Sequence, residues 1–465
     1  MDKRYDVIVV GAGPAGIFAA LELLKSYRKD INILILEKGK NITKRKCPMR
    51  EQKTACQQCS PCSLLSGWGG GGAFSDGKLN LTSDFGGNLS DYISEVELNR
   101  LINYVDTIYR QFGAEDSVYG NSQEKIERIK REAAKANLRF IPAKIRHLGT
   151  EKCFTILKNI YDFLKDKLEI RTDTEVNRVV KEDNEVSGVI TSTGEYIKGR
   201  YVILSPGRVG AEWLKNQATE LALPIFRNPV DVGVRVEVPA VILEHLTDTL
   251  YESKLIYYSA CFDDKVRTFC MCPSGEVVME YNNGITTVNG HSYSNKKTDN
   301  TNFAILVSTM FTKPFQEPIA YGKYIANLAN ILSGGVIIQR LGDLILGRRS
   351  TPDRIDHSIV IPTLSSATPG DLSFVLPYRI LSDILEMLKS LDKIAPGVYC
   401  EQTLLYGAEV KFYSARLDLS QQLETKIKNL FAIGDGAGIT RGLIQSSVSG
   451  VIVAREVNLR RGKNY

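Results

Sequence analysis

The sequence predicts an α/β protein: a doubly wound nucleotide-binding domain built from several pieces of chain, with an α+β domain and a helical segment inserted into it. Three observations predict this. Near the start, the β-branched run Val7-Ile8-Val9-Val10 leads into Gly11-x-Gly13-x-x-Gly16, a helical pattern, a second apolar run and Glu37. Near the end, Asn429-Leu-Phe-Ala-Ile-Gly434-Asp435-Gly436-Ala-Gly438 repeats the passage from buried strand to glycine turn. Between them, from Asp231 to about Gly397, short strands mix with helices, and no second strand–GxGxxG–helix unit occurs.

Each part of the first unit has a physical task. Four consecutive apolar β-branched residues suit a strand buried on both faces. Gly11 permits the tight turn, Gly13 lets a pyrophosphate approach the backbone, and Gly16 lets the helix pack on the strand. Pro14 and Ala15 open that helix, whose N–H groups and positive dipole end face the pyrophosphate. Ile33 to Leu36 form the second strand. Glu37, 21 positions beyond Gly16, stands where a carboxylate accepts ribose hydroxyls, with Lys38 beside it.

Composition sets bounds. The 465 residues suffice for two or three domains, and 43% hydrophobic with 24% charged residues is ordinary globular material. No run approaches the ~20 apolar residues of a membrane span. A strand begins within a few residues of Met1, which leaves no room for a signal peptide and predicts a cytoplasmic protein. The net charge of +6 is modest, and the basic run from Lys38 to Lys53 is expected as a solvated face rather than a nucleic-acid contact. Its one functional alternative is RNA binding by a tRNA-modifying enzyme, which salt-dependent RNA binding would reveal.

Nine cysteines in such a chain point to thiols rather than structural disulfides. Cys47, Cys56, Cys59 and Cys62 have the spacing C-x8-C-x2-C-x2-C, which brings soft donors within reach of one centre. An iron–sulfur cluster, tetrahedral zinc and unligated or redox-active thiols all fit that pattern. The thiol reading makes Cys56, Cys59 or Cys62 part of a thiol–disulfide enzyme linked to the bound dinucleotide. Next comes Gly67-Trp-Gly-Gly70-Gly71-Gly72-Ala-Phe-Ser75-Asp-Gly-Lys78. Its glycines remove Cβ atoms where backbone meets a ligand, and Ser75 adds a polar group there. A flexible linker would not carry Trp68 and Phe74.

From Leu89 to about Phe140 the pattern is helical and amphipathic, and another helix follows over Thr155 to Leu168. A three-strand meander is expected over Glu169 to Val180, Val186 to Thr191 and Glu195 to Ser205, with turns at Asp183-Asn184 and Thr193-Gly194. Its last strand ends at Pro206-Gly207, another glycine turn at the ligand edge of the sheet. The middle region contributes the strands VGVRVEV, LIYYSA, RTFCMC, VVMEY and FAILVS. Cys270 and Cys272 stand two apart on one of them, on one face, and packing is their expected use. Arg349 in a Gly-Arg-Arg turn suits carboxylate or phosphate recognition. His291 and Tyr293, in NGHSYSN, are the other candidate substrate anchors or proton donors. At the end, Asp435 follows a buried strand and is placed to accept a ribityl hydroxyl, with Gly434, Arg441, Gly442 and Leu443 around the next helix start.

An N-terminal GxGxxG with a distal AIGDGAG is the paired signature of FAD enzymes of the glutathione-reductase and phenol-hydroxylase type. Further segments, KRKCPMR, GGGAFSDGKL, FCMCPSGEVV, TPGDLSFVLP and LLYGAEVKFYS, together resemble a family of prokaryotic FAD-dependent dehydrogenases across nearly the whole chain. The resemblance implies a Rossmann-like FAD-binding domain of the glutathione-reductase (GR2) type in three parts, over 1–85, 151–225 and 401–465. A helical insertion over 86–150 and a substrate or cap domain over 226–400 complete it. It further implies that Gly11, Gly13, Gly16 and Glu37 hold the ADP half of FAD, that Val176 lies by the adenine, that Pro206-Gly207 closes over the cofactor, and that Asp435 binds the ribityl chain. The expected reaction moves a hydride or electron pair between flavin and a small organic substrate under the cap, an activated C=C bond being preferred. Without a second nucleotide motif, electrons are expected from the substrate, a ferredoxin-type carrier or transiently bound NAD(P)H. A cluster at the four cysteines would relay single electrons.

Overall fold

The computed structural model describes residues 4–25, 31–48, 51, 57, 59–226, 228–282, 284–293, 297–309, 311, 317–412 and 415–463. It is a mixed α/β structure with parallel and antiparallel sheets, and the chain divides into two compact units. The first comprises Met1–Ser117, Arg146–Asn228 and Ser414–Tyr465; the second comprises Val118–Ile145 and Pro229–Tyr413.

In the first unit, β1 (Arg4–Val10), α1 (Pro14–Leu23) and β2 (Ile33–Leu36) form the expected strand–turn–helix–strand. Helix α2 (Glu95–Gln111) and helix α3 (Thr150–Leu164) follow, then β3 (Glu169–Arg171), β4 (Val176–Glu182), β5 (Glu185–Thr191) and β6 (Tyr196–Leu204). Strand β7 (Leu430–Ala432) and helix α4 (Leu443–Lys463) complete it. The sheet order is β3-β2-β1-β6-β5-β4. Strand β6 pairs in parallel with β1 on one side; on the other it pairs antiparallel with β5 at its start and parallel with β7 at its end. The carboxyl ends of β1, β6 and β7 therefore lie side by side, where ligands of such sheets bind. The β-branched and leucine side chains of β1 and β2 are buried, as their unbroken apolar run requires.

Three expected boundaries shift in this unit; the simplest is the helix expected over Thr155 to Leu168, which is α3 (Thr150–Leu164). The first meander strand is two strands, because Asp173 takes a left-handed φ of 54° and turns the chain back toward Glu37. The Thr174 N–H donates to the Glu37 carbonyl there (2.9 Å), so β3 joins the parallel edge beside β2 and only β4 joins the meander. The helical stretch expected as one insertion over 86–150 is shared out. Helix α2 packs in the first unit, with Tyr109 Oη and Ser447 Oγ 3.1 Å apart, whereas Gln123–Lys135 belongs to the second.

The second unit is built on an eight-stranded sheet. Its centre is Val230–Pro239, flanked antiparallel by Asn300–Thr309 and Leu404–Lys411. The last pairing explains why the chain as far as Lys411 belongs to this unit rather than returning to the first at the expected 401. All five expected strands are present, and Ile285–His291, which takes in the start of NGHSYSN and so puts His291 on a strand, pairs with Glu276–Asn282 as a hairpin. Val232, Val234, Val236 and Val238 face a core with the helices Ala240–Leu250 and Tyr378–Asp392. The alternate residues are polar yet buried. Arg235 donates from Nε and Nη2 to both carboxylate oxygens of Glu409 (2.8 and 2.9 Å) and from Nη1 to Asn302 Oδ1 (2.9 Å). Burial pushes the Glu409 carboxyl up, but Arg235 and Lys411 outweigh it and hold the group below the usual carboxylate range.

Asp383, fully buried on the helix Tyr378–Asp392, behaves oppositely. Burial and the neighbouring Asp264 push its carboxyl from an ordinary 3.8 up to about 6, against an opposing pull from Ser259. A carboxyl whose folded pKa is raised favours the fold while protonated, so its contribution is full below about pH 4 and is lost as pH rises through about 6. Asp264 titrates below its usual value because Arg379 binds it, so it does not act in that window. Asp383→Asn is expected to flatten the stability profile between about pH 4 and 6, read by urea denaturation at each pH. A profile unchanged from the parent protein would contradict this account.

Candidate cofactor site

The site grows from the β1–α1 turn. Gly11 has a left-handed φ of 103°, and a Cβ there would overlap the Ser205 carbonyl at the end of β6. A Cβ at Gly16 would overlap the Gly11 carbonyl. Ser205 Oγ lies 2.9 Å from the Val10 carbonyl and 2.8 Å from that of Gly11, donating to this pair and tying β6 to the turn. Gly13, the N-cap of α1, is different: a Cβ there would meet nothing within 4 Å. Gly11 and Gly16 are thus glycine for packing and Gly13 for access.

Glu37, only 6% exposed, accepts from three backbone N–H groups: Ala12 and Gly39 at 2.8 Å and Gly67 at 2.9 Å. One carboxylate so fastens the first glycine turn to the second glycine loop. That loop lies directly on the turn. The Gly69 N–H donates to the Ala12 carbonyl (2.7 Å), a Cβ at Gly70 would come 3.3 Å from Gly13 Cα, and one at Gly72 would press on Leu443 and Pro14. A Cβ at Gly71 would come no nearer than 3.9 Å to Leu65. Ser75 Oγ donates to the Gly72 carbonyl (3.0 Å). Trp68 is fully buried, donates from Nε1 to the Leu157 carbonyl (2.9 Å) and packs edge-on against Tyr161.

Arg45 organises this loop; in the sequence it stands as one charge of a basic run and as part of KRKCPMR. Its guanidinium donates to the carbonyls of Ser63 (2.8 Å), Leu64 (2.9 Å), Trp68 (2.6 Å) and Gly70 (2.8 Å), and lies over the Phe74 ring. Burial pulls its pKa down to about 10, opposed by Glu37, and it remains a cation at neutral pH. No periodicity distinguishes an arginine that serves carbonyls; only its place in KRKCPMR set it apart.

The other wall comes from the last segment. Gly434 sits against Ala15, and Gly436 against Pro206 and Gly207. Asp435 follows at the start of a short 3-10 turn, accepting from Thr440 Oγ1 (2.7 Å) and the Gly442 N–H (3.3 Å). Burial pushes its carboxyl up, with Arg208, Thr440 and Arg441 opposing. The Arg441 N–H donates to the Gly86 carbonyl (2.7 Å), and Gln445 Nε2 to that of Phe85 (3.1 Å), so the segment after the glycine loop is fixed to the start of α4. Gly207 and Gly442, like Gly13, would place a Cβ in open space. Val176 is buried at the start of β4, two residues past the Thr174–Glu37 bond, and Lys38 is half-buried in the adjoining turn.

Gly450 is a second residue the sequence reading missed. A Cβ at this mid-helix position of α4 would strike the Ala15 carbonyl and come 2.8 Å from the Ala19 nitrogen. It lets α4 lie on α1. A glycine inside a helical run was the available signal.

Residues 229–412 match a family model described as "FAD-dependent protein, C-terminal domain-like". That match supports FAD as the dinucleotide. An uncharacterised protein of Clostridium beijerinckii is 26% identical over 97% of this chain and 80% of its own length. Among solved structures, L-proline dehydrogenase from P. horikoshii shares 12% identity (100% of this chain, 95% of that one, TM-score 0.41). An Aspergillus oryzae formate oxidase shares 12% identity over the whole of both chains (TM-score 0.47), and glycine oxidase from Geobacillus kaustophilus 12% over 99% and 94% (TM-score 0.37).

Other expected sites fare differently. Cys56 lies outside the described residues. Cys47 and Cys62 are half-buried and Cys59 is exposed, and among the described residues these three do not come together as a ligand set. Nothing there supports an iron–sulfur or zinc centre. In the second unit, the rings of His291 and Tyr293 are 6.4 Å apart at the end of the hairpin. Arg349 is exposed, and it is Arg348 that binds the buried Asp343 (2.8 Å). Among the described residues no helix is long and apolar enough to cross a membrane.

Proposed function

We propose that this chain is an FAD-dependent oxidoreductase whose first unit is a cofactor domain of the glutathione-reductase type. The observation that carries the reading is that Gly13, Gly207 and Gly442 lie in turns at the carboxyl edge of β1, β6 and β7 with no neighbour where a Cβ would stand, and that the half-buried Asp435 accepts from the Gly442 N–H there. Three turns from distant parts of the chain thus bring Cβ-free backbone to one sheet edge, each with open space beside it, which suits a long ligand gripped at several points. Gly13, Pro14 and the α1 N-terminus would hold the pyrophosphate. Glu37 offers about four lone-pair positions, three of them taken by backbone N–H groups, which leaves one for a ribose hydroxyl. Asp435 would accept from the ribityl chain. When bound, FAD supplies hydride or electron-pair transfer with a small organic substrate. His291, Tyr293 and Arg349 are the proposed substrate anchors, and a ferredoxin-type carrier or NAD(P)H the proposed electron partner.

The test is the purified protein's visible spectrum with the released flavin identified by mass. Stoichiometric FAD is expected, and Gly13→Val, whose Cβ would meet nothing within 4 Å, is expected to lower FAD content by about tenfold or more. A colourless protein that FAD cannot reconstitute would refute the proposal.

A further inference from the structure

The strand Lys265–Cys272 does not run regularly to its end. Phe269 pairs with Ala304 and Cys272 with Asn302, so three steps on one strand oppose two on the other: a β-bulge. Within it Cys270 takes a φ of 45°, a left-handed conformation that costs a non-glycine residue energy and persists only where surroundings impose it. They do so here through buried charge. The Cys270 N–H donates to Glu252 (3.1 Å) and its carbonyl accepts from Arg235 Nη1 (3.0 Å). The bulge abolishes the regular alternation that made packing the expected use of this pair, and bulges re-aim side chains. The two Sγ atoms lie within 4.8 Å of one another. Cys270 is half-buried and Cys272 buried. The backbone of Cys270 is thus held between two ion pairs, Arg235 with Glu409 and Lys254 with Glu252.

We propose that Cys270 and Cys272 form a redox-active dithiol that exchanges with low-molecular-weight disulfides. The assignment of roles follows exposure. Cys270, the less buried sulfur, is the attacking thiolate; the buried Cys272 is the resolving thiol. In the first step the Cys270 thiolate attacks a disulfide RS–SR. A Cys270–SR bond forms, the RS–SR bond breaks, and RS⁻ leaves to take up the proton Cys270 released. In the second step the Cys272 thiolate attacks the Cys270 sulfur, the Cys270–Cys272 bond forms, and the second RS⁻ leaves with the second proton. Two protein thiols are oxidised to one disulfide while one small disulfide is reduced to two thiols.

The full chain is incubated with graded ratios of oxidised to reduced glutathione, trapped with N-ethylmaleimide and digested for mass spectrometry. The wild-type peptide spanning both residues is expected to lose two hydrogens in place of two maleimide labels as the ratio rises, and to regain the labels on return to reduced glutathione. In Cys272→Ser, glutathione is expected to accumulate on Cys270 about tenfold or more faster than it does on Cys272 in Cys270→Ser. The wild-type titration decides even where a variant does not fold. Full maleimide labelling of both cysteines at every ratio would overturn the proposal. So would a disulfide that forms only in urea, or protection of both thiols by added zinc with no response to glutathione.

Discussion

Arg235→Met is expected to destabilise the second unit by about 3–5 kcal/mol, the range for removing one member of a buried ion pair. Arg235 and Glu409 are both fully buried, and the guanidinium also serves Asn302 Oδ1 and the Cys270 carbonyl. Methionine replaces its length but none of its charge. Glu409 would keep Lys411 (3.0 Å) as a partner but would lose both of its bonds from Arg235, inside a sheet that water does not reach. Most of the cost is thus the exposed debt of one carboxylate rather than the worth of the pair itself. For that reason Arg235→Met with Glu409→Gln should recover part of the loss, since a neutral amide tolerates burial better. Urea denaturation of the full chain measures both. A loss below about 1 kcal/mol in the single variant would show that the pair is solvated or replaceable.

Gly450→Val should have the second largest effect, and it should reach the cofactor site without touching it. The new side chain would collide with the α1 backbone at Ala15 and Ala19, and a backbone cannot rotate aside as a side chain can. Overpacking of this kind costs about 1–3 kcal/mol or more. Any relief moves α1 relative to α4, and with it Gly13 and Pro14 at the helix start. Retained FAD and thermal midpoint are therefore expected to fall together. Gly462→Val at the far end of the same helix, where a Cβ meets nothing, is the control. Equal behaviour of the two variants would rule out the close approach at Gly450 as the cause.

Much of the nucleotide domain was legible because its signals are local. A β-branched run, three spaced glycines and a terminal Glu37 lie within one short segment, and the Gly434-Asp435 turn repeats the same grammar. The partition of the chain was harder to read. Leu404–Lys411 has the texture of either sheet, and only its register against Val230–Pro239 assigns it. The same holds for Gln123–Lys135, whose amphipathic pattern says that it packs but not on what. Within the site, Arg45 was invisible because its role is defined by four carbonyls that no pattern announces. The bulge at Cys270 was read as plain strand, since period two was assumed through it.

The discontinuity of the first unit has a consequence for synthesis. Val202 of β6 pairs with Leu430 of β7, and the whole Pro229–Tyr413 segment is translated between them. A nascent chain therefore carries the β1–β6 sheet edge and the Gly13 turn for as long as that segment takes to emerge. Over that interval the apolar face of α1 that α4 will cover stays open to other chains. Pairings so distant in sequence form slowly, and such waiting surfaces are where association errors begin. On the proposed function, loading of the dinucleotide comes after this closure, because Asp435 and Gly442 are among the last of the proposed contacts to be made.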